Sequence, residues 1–243
     1  MSFTTAVIGG TGFSEFVGMT SDRWEQVRTP YGPATLARGQ VADVDMVFLP
    51  RHGRPAQLPP HAINYRANIR ALYNLGVSRI IAVNAVGSVT PDIPVPALVI
   101  PDQIIDYTWG RHHTFHGRDI RHIDFTEPFD PQLRERLCDI TKQMGSPHRL
   151  VGVYGCTQGP RLESAAEIQR MGRDGCDIVG MTAMPETALA RELEIPYASI
   201  CVNINPGAGL AGSDHMDFDS MSAALETGMD SVRKILERFL TLE

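Results

Sequence analysis

Tyr197-Ala198-Ser199-Ile200-Cys201-Val202-Asn203-Ile204 is a nearly unbroken apolar run that ends in Asn205-Pro206-Gly207. A half-exposed strand alternates polar and apolar residues, whereas a run of this kind reads as a strand covered on both faces. Similar short runs rich in Val, Ile and Ala recur at Thr4 to Gly9, Asp45 to Leu49, Arg79 to Asn84, Ala97 to Ile105, Leu150 to Tyr154 and Asp177 to Met181. Helices must cover them, and longer amphipathic stretches stand between them. From Asp130 to Met144 the chain has Asp130 as a helix cap, Pro131 in the first turn and Gly145 as a stop, with Leu133, Leu137, Ile140 and Met144 on one stripe. Phe218 to Leu240 repeats the pattern through Met221, Leu225, Met229, Val232, Leu236 and Phe239. Further helices are expected from Asn64 to Leu75, Glu163 to Arg173 and Pro185 to Leu193. The alternation gives an α/β fold, one domain over residues 1–243, with a central mostly parallel or mixed β-sheet flanked by helices.

The composition bounds the function. With 43% hydrophobic and 21% charged residues, the 243-residue chain buries a large core. A net charge of -6 speaks against nucleic acid as a partner, because phosphate backbones need a basic face. No stretch approaches the roughly 20 apolar residues that span a bilayer, so no membrane partner is expected. Nor does the N-terminus have a basic region followed by a cleavable apolar core, and a cytoplasmic protein is expected. Cys138, Cys156, Cys176 and Cys201 form no C-x-x-C pair and read as reduced, mostly buried thiols. His112, His113 and His116 lie between Gly110 and Gly117 without a nearby cysteine or carboxylate pair, and read as a polar loop rather than a metal site.

In such folds ligands gather at the carboxyl ends of strands, and four strand ends carry suggestive chemistry. Val7-Ile8-Gly9-Gly10-Thr11-Gly12 lacks the third glycine of a dinucleotide fingerprint, since Glu15 stands there. It reads instead as a turn whose backbone N–H groups and Thr11 hydroxyl cradle a small oxyanion. Arg51-His52-Gly53-Arg54 offers a guanidinium fork to the same anion. Asn84-Ala85-Val86-Gly87-Ser88 supplies small residues that let backbone approach a ligand, and Met181-Thr182 adds a hydroxyl. Together they make a phosphate site.

Ile8-Gly9-Gly10-Thr11-Gly12, Arg51-His52-Gly53, Asn64-Tyr65-Arg66-Ala67-Asn68, Gly159-Pro160-Arg161 and Val179-Gly180-Met181-Thr182-Ala183-Met184-Pro185-Glu186 resemble the motifs of the trimeric purine nucleoside phosphorylase and methylthioadenosine phosphorylase family. The match runs from residue 6 to about residue 207, in the family's order. It implies the nucleoside phosphorylase fold and phosphorolysis of a purine nucleoside to free base and ribose 1-phosphate. Inorganic phosphate is then a co-substrate, with no cofactor and no metal. By resemblance, Thr11, Arg51, His52, Ala85 and Thr182 hold phosphate, while Met181 packs on the sugar and Leu162 belongs to the substrate-binding set. Tyr65 belongs to a motif beside the site. His122 resembles the histidine that a neighbouring subunit lends to the 5′ end of the sugar, which implies a homotrimer with shared active sites.

Two residues decide the base. Asn205 falls where the family places its purine-recognising acid or amide. Methylthioadenosine phosphorylases have an aspartate there and another two positions on, where this chain has Asn205 and Gly207. A carboxylate facing a 6-oxo group would oppose two acceptors, whereas an amide donates to O6 and accepts from a protonated N7. Glu163 makes the same choice at N1, which carries a proton only in 6-oxopurines. By their surroundings alone, Glu163 is also an ordinary first-turn carboxylate and Asn205 a turn residue before Pro206. Asn205 and Glu163 together are expected to read a 6-oxopurine and to assist its departure.

The 5′ group is left open by residue type: His215 suits a hydroxyl and Met216 a thioether. Chain size and the Arg121 to Phe129 segment lean to the methylthio branch, so the expected substrate is the 5′-methylthio derivative of inosine. General inosine or guanosine cleavage and methylthioadenosine cleavage are the alternatives. A hydrolytic nucleosidase, a nucleoside-binding module and a dehydrogenase are the competing classes, and the anion-binding constellation speaks against the first.

Overall fold

The computed structural model describes residues 4–210 and 217–242. Its organising strand is β5, observed from Arg79 to Ser88 and so four residues longer than the apolar run predicts. To number the elements in chain order, β1 is Thr5–Gly9, β2 Thr20–Thr29, β3 Gly32–Val41 and β4 Val44–Pro50, followed by α1 at Tyr65–Asn74. After β5 come β6 (Ala97–Val99), β7 (Gln103–Asp106), α2 (Pro131–Met144), β8 (His148–Arg149) and β9 (Val153–Cys156). The chain continues through α3 (Ala165–Asp174), β10 (Ile178–Gly180), α4 (Ala183–Glu192), β11 (Tyr197–Pro206) and α5 (Phe218–Thr241).

The first half of β5 pairs in parallel with β1, its last two residues pair antiparallel with β10, and β11 runs parallel beside it from Ile80 to Ser88. β1 also pairs in parallel with β4, as do β7 and β10 with β9. The hairpin β2–β3 extends the sheet antiparallel to β4. The result is a mixed, mostly parallel sheet within a single α/β domain.

Residues alternate between two covered faces, which is the physical content of an all-apolar strand. Val7, Ile81, Val83, Ile200 and Val202 pack under α2 and α5, with Leu137, Val232, Leu236 and Phe239. Ala6, Ile8, Ile80, Ala82 and Tyr197 face the opposite way, toward α1 and α4, with Ile69, Leu72 and Leu189. Local signals hold where they were read. Asp130 accepts a hydrogen bond from the Leu133 N–H, Pro131 opens α2 and Gly145 ends it at φ 71°. The four cysteines are free and buried.

The strand expected from Leu150 to Tyr154 begins only at Val153 and runs to Cys156, and two further elements depart from the sequence reading. The run Ala97 to Ile105 is two strands, since Pro101 has no N–H to give a ladder. β6 pairs with β11 and β8, whereas β7 pairs with β9. The hairpin β2–β3 was not anticipated, because β2 is largely exposed and carries no apolar run. Among the described residues, no helix is long and apolar enough to cross a membrane.

Candidate active site

The four strand ends enclose one cleft with about 850 Å³ of space, part of it open to solvent. One end is built around Arg51, which follows β4 and is 1% exposed. Nε and Nη2 donate to the two carboxylate oxygens of Glu186 at 2.8 and 2.7 Å, and Nη1 donates to the Val83 carbonyl at 3.0 Å. Tyr197 completes the group by donating its hydroxyl to Glu186 at 2.8 Å. Burial pulls the Arg51 pKa down, but the charge and hydrogen bonds of Glu186 outweigh it and the net shift is upward. Arg51 therefore stays charged. The fork expected to meet an anion is instead spent on Glu186, leaving one N–H on each Nη nitrogen for a ligand.

Gly10 is required for that arrangement. A Cβ added there would lie 2.7 Å from Arg51 Nη1 and 2.6 Å from the Val83 carbonyl oxygen. Gly10→Ala is expected to lose roughly 1–3 kcal/mol through overpacking, together with most affinity for an anion. Thermal unfolding with and without phosphate checks both losses.

Beside it, His52 Nδ1 lies 2.8 Å from the Leu58 carbonyl, which can only accept, so Nδ1 carries the proton. Burial, with a smaller contribution from the Arg51 charge, lowers the His52 pKa and keeps the ring neutral at neutral pH. Nε2 then presents a lone pair, suited to a protonated oxyanion or a sugar hydroxyl. Across the cleft, Ser199 donates to Asn84 Oδ1 at 2.7 Å and Asn84 Nδ2 donates to Thr182 Oγ1 at 2.8 Å. With its oxygen accepting from Asn84, the Thr182 hydroxyl keeps its proton for a ligand. Thr11, Ala85 and Met181 line the same wall.

The far end carries Glu163 and Asn205. α3 begins at Ala165 with Ser164 as its cap and Glu167 closing a capping box. Glu163 thus lies before the helix and is not the first-turn carboxylate. Its Oε1 accepts the Thr157 hydroxyl at 2.6 Å, and the side chain lines the cleft. Asn205 is placed by a bulge: β11 slips against β5 so that Asn203 faces Val86 and Asn205 faces Gly87, with Ile204 extra. Bulges of this kind re-aim side chains next to functional sites. Asn203 donates away from the cleft to the Pro94 carbonyl at 2.9 Å, whereas Asn205 lines it. One Asn205 N–H is taken by the Pro206 carbonyl at 2.8 Å, so a second N–H and Oδ1 are left for a base. Gly207 packs tightly, its position allowing no Cβ without a 2.7 Å approach to the Ser88 carbonyl oxygen. Leu162 and Met221 also line the cleft.

The phosphorylase superfamily profile matches residues 4–241. A probable S-methyl-5′-thioinosine phosphorylase of Pseudomonas syringae pv. tomato is 45% identical over 97% of this chain and 98% of its own length. The 6-oxopurine nucleoside phosphorylase of Pyrococcus furiosus is 43% identical over 95% of this chain and 90% of its own. Among solved structures, the methylthioadenosine phosphorylase of Schistosoma mansoni in complex with adenine has a TM-score of 0.92 at 32% identity, covering 99% of this chain and 92% of that one. The chain belongs to the phosphorylase superfamily. The motif resemblance covers residues 6 to 207, and the superfamily match carries on through α5 to residue 241.

In this phosphorylase the sequence reading passed over Arg111, which is 8% exposed and lies in the loop after β7. Its Nη1 donates to the Met181 and Met184 carbonyls at 2.9 and 2.5 Å, and Nη2 to the Thr157 and Gln158 carbonyls at 3.2 and 2.8 Å. Nε reaches Gln158 Oε1 at 3.1 Å. No local pattern marks such a residue, whose partners are carbonyls after β9 and around the start of α4, the Gln158 side chain and the Tyr65 hydroxyl of α1 at 3.2 Å. Met221 was read as part of the helix stripe, and the structure brings it into the lining of the cleft, which Met181 also lines. Tyr65 is buried, with its hydroxyl donated to the Pro60 carbonyl at 2.9 Å. His122 is exposed and lies outside the cleft, beside Asp124 and Arg191. His215 and Met216, the two candidates for reading the 5′ group, lie outside the described residues. Among the described residues, no group of three or more His, Cys, Asp or Glu side chains could hold a metal ion.

Proposed function

We propose that this enzyme cleaves S-methyl-5′-thioinosine with phosphate, giving hypoxanthine and 5-methylthioribose 1-phosphate. The observation that carries the base assignment is the pairing of Glu163, held by Thr157, with the Asn205 amide in one cleft that also contains Arg51. Glu163 accepts from N1–H, while Asn205 donates to O6 and accepts from N7–H. A 6-aminopurine would set a lone pair against Glu163 and a donor against the Asn205 N–H. Each mispaired buried group costs about 1–3 kcal/mol. The names of the Pseudomonas syringae and Pyrococcus furiosus relatives agree with a 6-oxopurine.

At the other end, Thr11, Arg51, His52, Ala85 and Thr182 hold phosphate beneath the sugar. A phosphate oxygen forms a bond to C1′ as the C1′–N9 bond breaks and its electron pair passes to the purine. Hydrogen phosphate yields its proton to the base, which leaves neutral, and the sugar phosphate keeps the double charge. The protein supplies positioning and preorganised dipoles rather than a nucleophile. No cofactor enters, and phosphate is a co-substrate.

Two thioethers, Met181 and Met221, line the cleft and suit a 5′-methylthio group, as polarizable sulfur packs well on apolar ligands. His122, exposed in a single chain, is assigned to the site of a neighbouring copy in a cytoplasmic homotrimer. The test is base release from methylthioinosine, inosine, guanosine, methylthioadenosine and adenosine, each with and without phosphate. Methylthioinosine is expected to be cleaved fastest, and only with phosphate present. Faster cleavage of an adenine nucleoside than of its hypoxanthine counterpart would overturn the base assignment, and phosphate-independent release would make the enzyme a hydrolase.

A further inference from the structure

Arg111 does not itself line the cleft, yet it bonds main chain on both of its sides. One set of carbonyls, Met181 and Met184, brackets Thr182 and belongs to the sugar and phosphate wall. The other set, Thr157 and Gln158, belongs to the loop whose Thr157 hydroxyl holds Glu163 at 2.6 Å. Gln158 is gripped twice, since its Oε1 also accepts the Trp109 N–H at 3.2 Å. A guanidinium is suited to this task, because its donors lie in a rigid plane and stay charged when buried.

We infer that Arg111 is a positioning residue that acts through Thr157 to set the Glu163 carboxylate against the sugar wall, and so governs discrimination between 6-oxo and 6-aminopurines. The inference rests on the base reading proposed above. If the clamp is released, the loop from Thr157 to Glu163 gains freedom and the carboxylate no longer meets N1 at a fixed distance. Lysine at this position keeps the charge but only three donors around one atom, so it cannot span both loops.

The experiment compares wild type, Arg111→Ala, Arg111→Lys and Thr157→Val. The readout is the ratio of kcat/KM for methylthioinosine to that for methylthioadenosine. Thermal unfolding reports the folded fraction. In Arg111→Ala the ratio is expected to fall at least 10-fold, with Arg111→Lys intermediate. Thr157→Val, which cuts only the link to Glu163, is expected to lower the ratio at least 5-fold while the KM for phosphate stays within 2-fold of wild type. A structural role alone would lower the unfolding temperature and leave the ratio unmoved. Folded Arg111→Ala with a ratio within 2-fold of wild type would overturn the inference. Should Arg111→Ala not fold, an unchanged ratio in Thr157→Val would overturn it instead. A wild type that cleaves no 6-oxopurine nucleoside refutes the base reading itself, which separates the two failures.

Discussion

Glu186→Gln is expected to lower the stability of this phosphorylase by about 3–5 kcal/mol, the usual loss when one partner of a buried ion pair is removed. Both side chains of the Arg51–Glu186 pair are fully inaccessible to solvent. Glu186 accepts three hydrogen bonds, two from Arg51 and one from Tyr197. A glutamine keeps the shape but must turn its NH2 toward at least one of those donors, and Arg51 loses its counter-charge. At about 2–4 °C per kcal/mol for a chain of this size, the unfolding temperature should fall by roughly 6–20 °C. Phosphate should then recover more stability in the variant than in wild type, because the bound anion takes over as counter-ion to Arg51 and binds only the folded state. Thermal unfolding across a phosphate titration checks both parts. Equal phosphate shifts in the two proteins would remove Arg51 from the anion site. Tyr197→Phe, which deletes one of the three bonds and no charge, is expected to cost only about 1 kcal/mol.

The Arg51–Glu186 pair also marks how far a sequence could be read. Arg51 and Glu186 stand 135 positions apart, and each sits in a motif that was recognised, but nothing in either motif says that they pair. The strand ends were legible because apolar runs without alternation have only one comfortable place, the middle of a covered sheet. Chain topology then brings Thr11, Arg51, Ala85 and Thr182 to the same cleft. Capping chemistry was equally local, as Asp130, Pro131 and Gly145 act within one turn of α2.

What could not be read was non-local or depended on register. The slip at Ile204 that turns Asn205 into the cleft is a property of β11 against β5. The α3 cap falls on Ser164, one residue past Glu163, and that single step frees Glu163 from a capping role. β2 carries Thr20, Ser21, Asp22 and Arg23 in succession, a polar run that becomes a strand only because β3 is there to pair with it. Arg111 lies in a loop read only for its histidines, and its partners come from the loop after β9, the start of α4 with the residue before it, and Tyr65 of α1.

Asn205→Asp is expected to reverse the order of base preference without creating an efficient 6-aminopurine enzyme. Removing a donor to O6 should lower kcat for methylthioinosine by about 10²–10³-fold, the range for loss of one transition-state donor, and Asn205→Ala should lose a similar 2.7–4 kcal/mol. Only the aspartate can accept from a 6-amino group, so the two variants part company on methylthioadenosine. The gain is limited for two reasons. Asn205 donates to the Pro206 carbonyl, and a carboxylate there would face another acceptor and turn away from its present rotamer. A companion aspartate at Gly207 is excluded, since its Cβ would approach the Ser88 carbonyl oxygen to 2.7 Å and Ile168 to 3.0 Å. Glu163 would still oppose the lone pair on N1 of adenine. The double variant Asn205→Asp with Glu163→Gln removes that conflict, because the amide can donate to N1, and it should cleave methylthioadenosine faster than either single variant. The two residues line one cleft, so their effects are not expected to add. Measured kcat/KM for both nucleosides across wild type and the four variants decides it. A single Asn205→Asp variant whose base ratio stays within 2-fold of wild type would mean that the amide does not read the base.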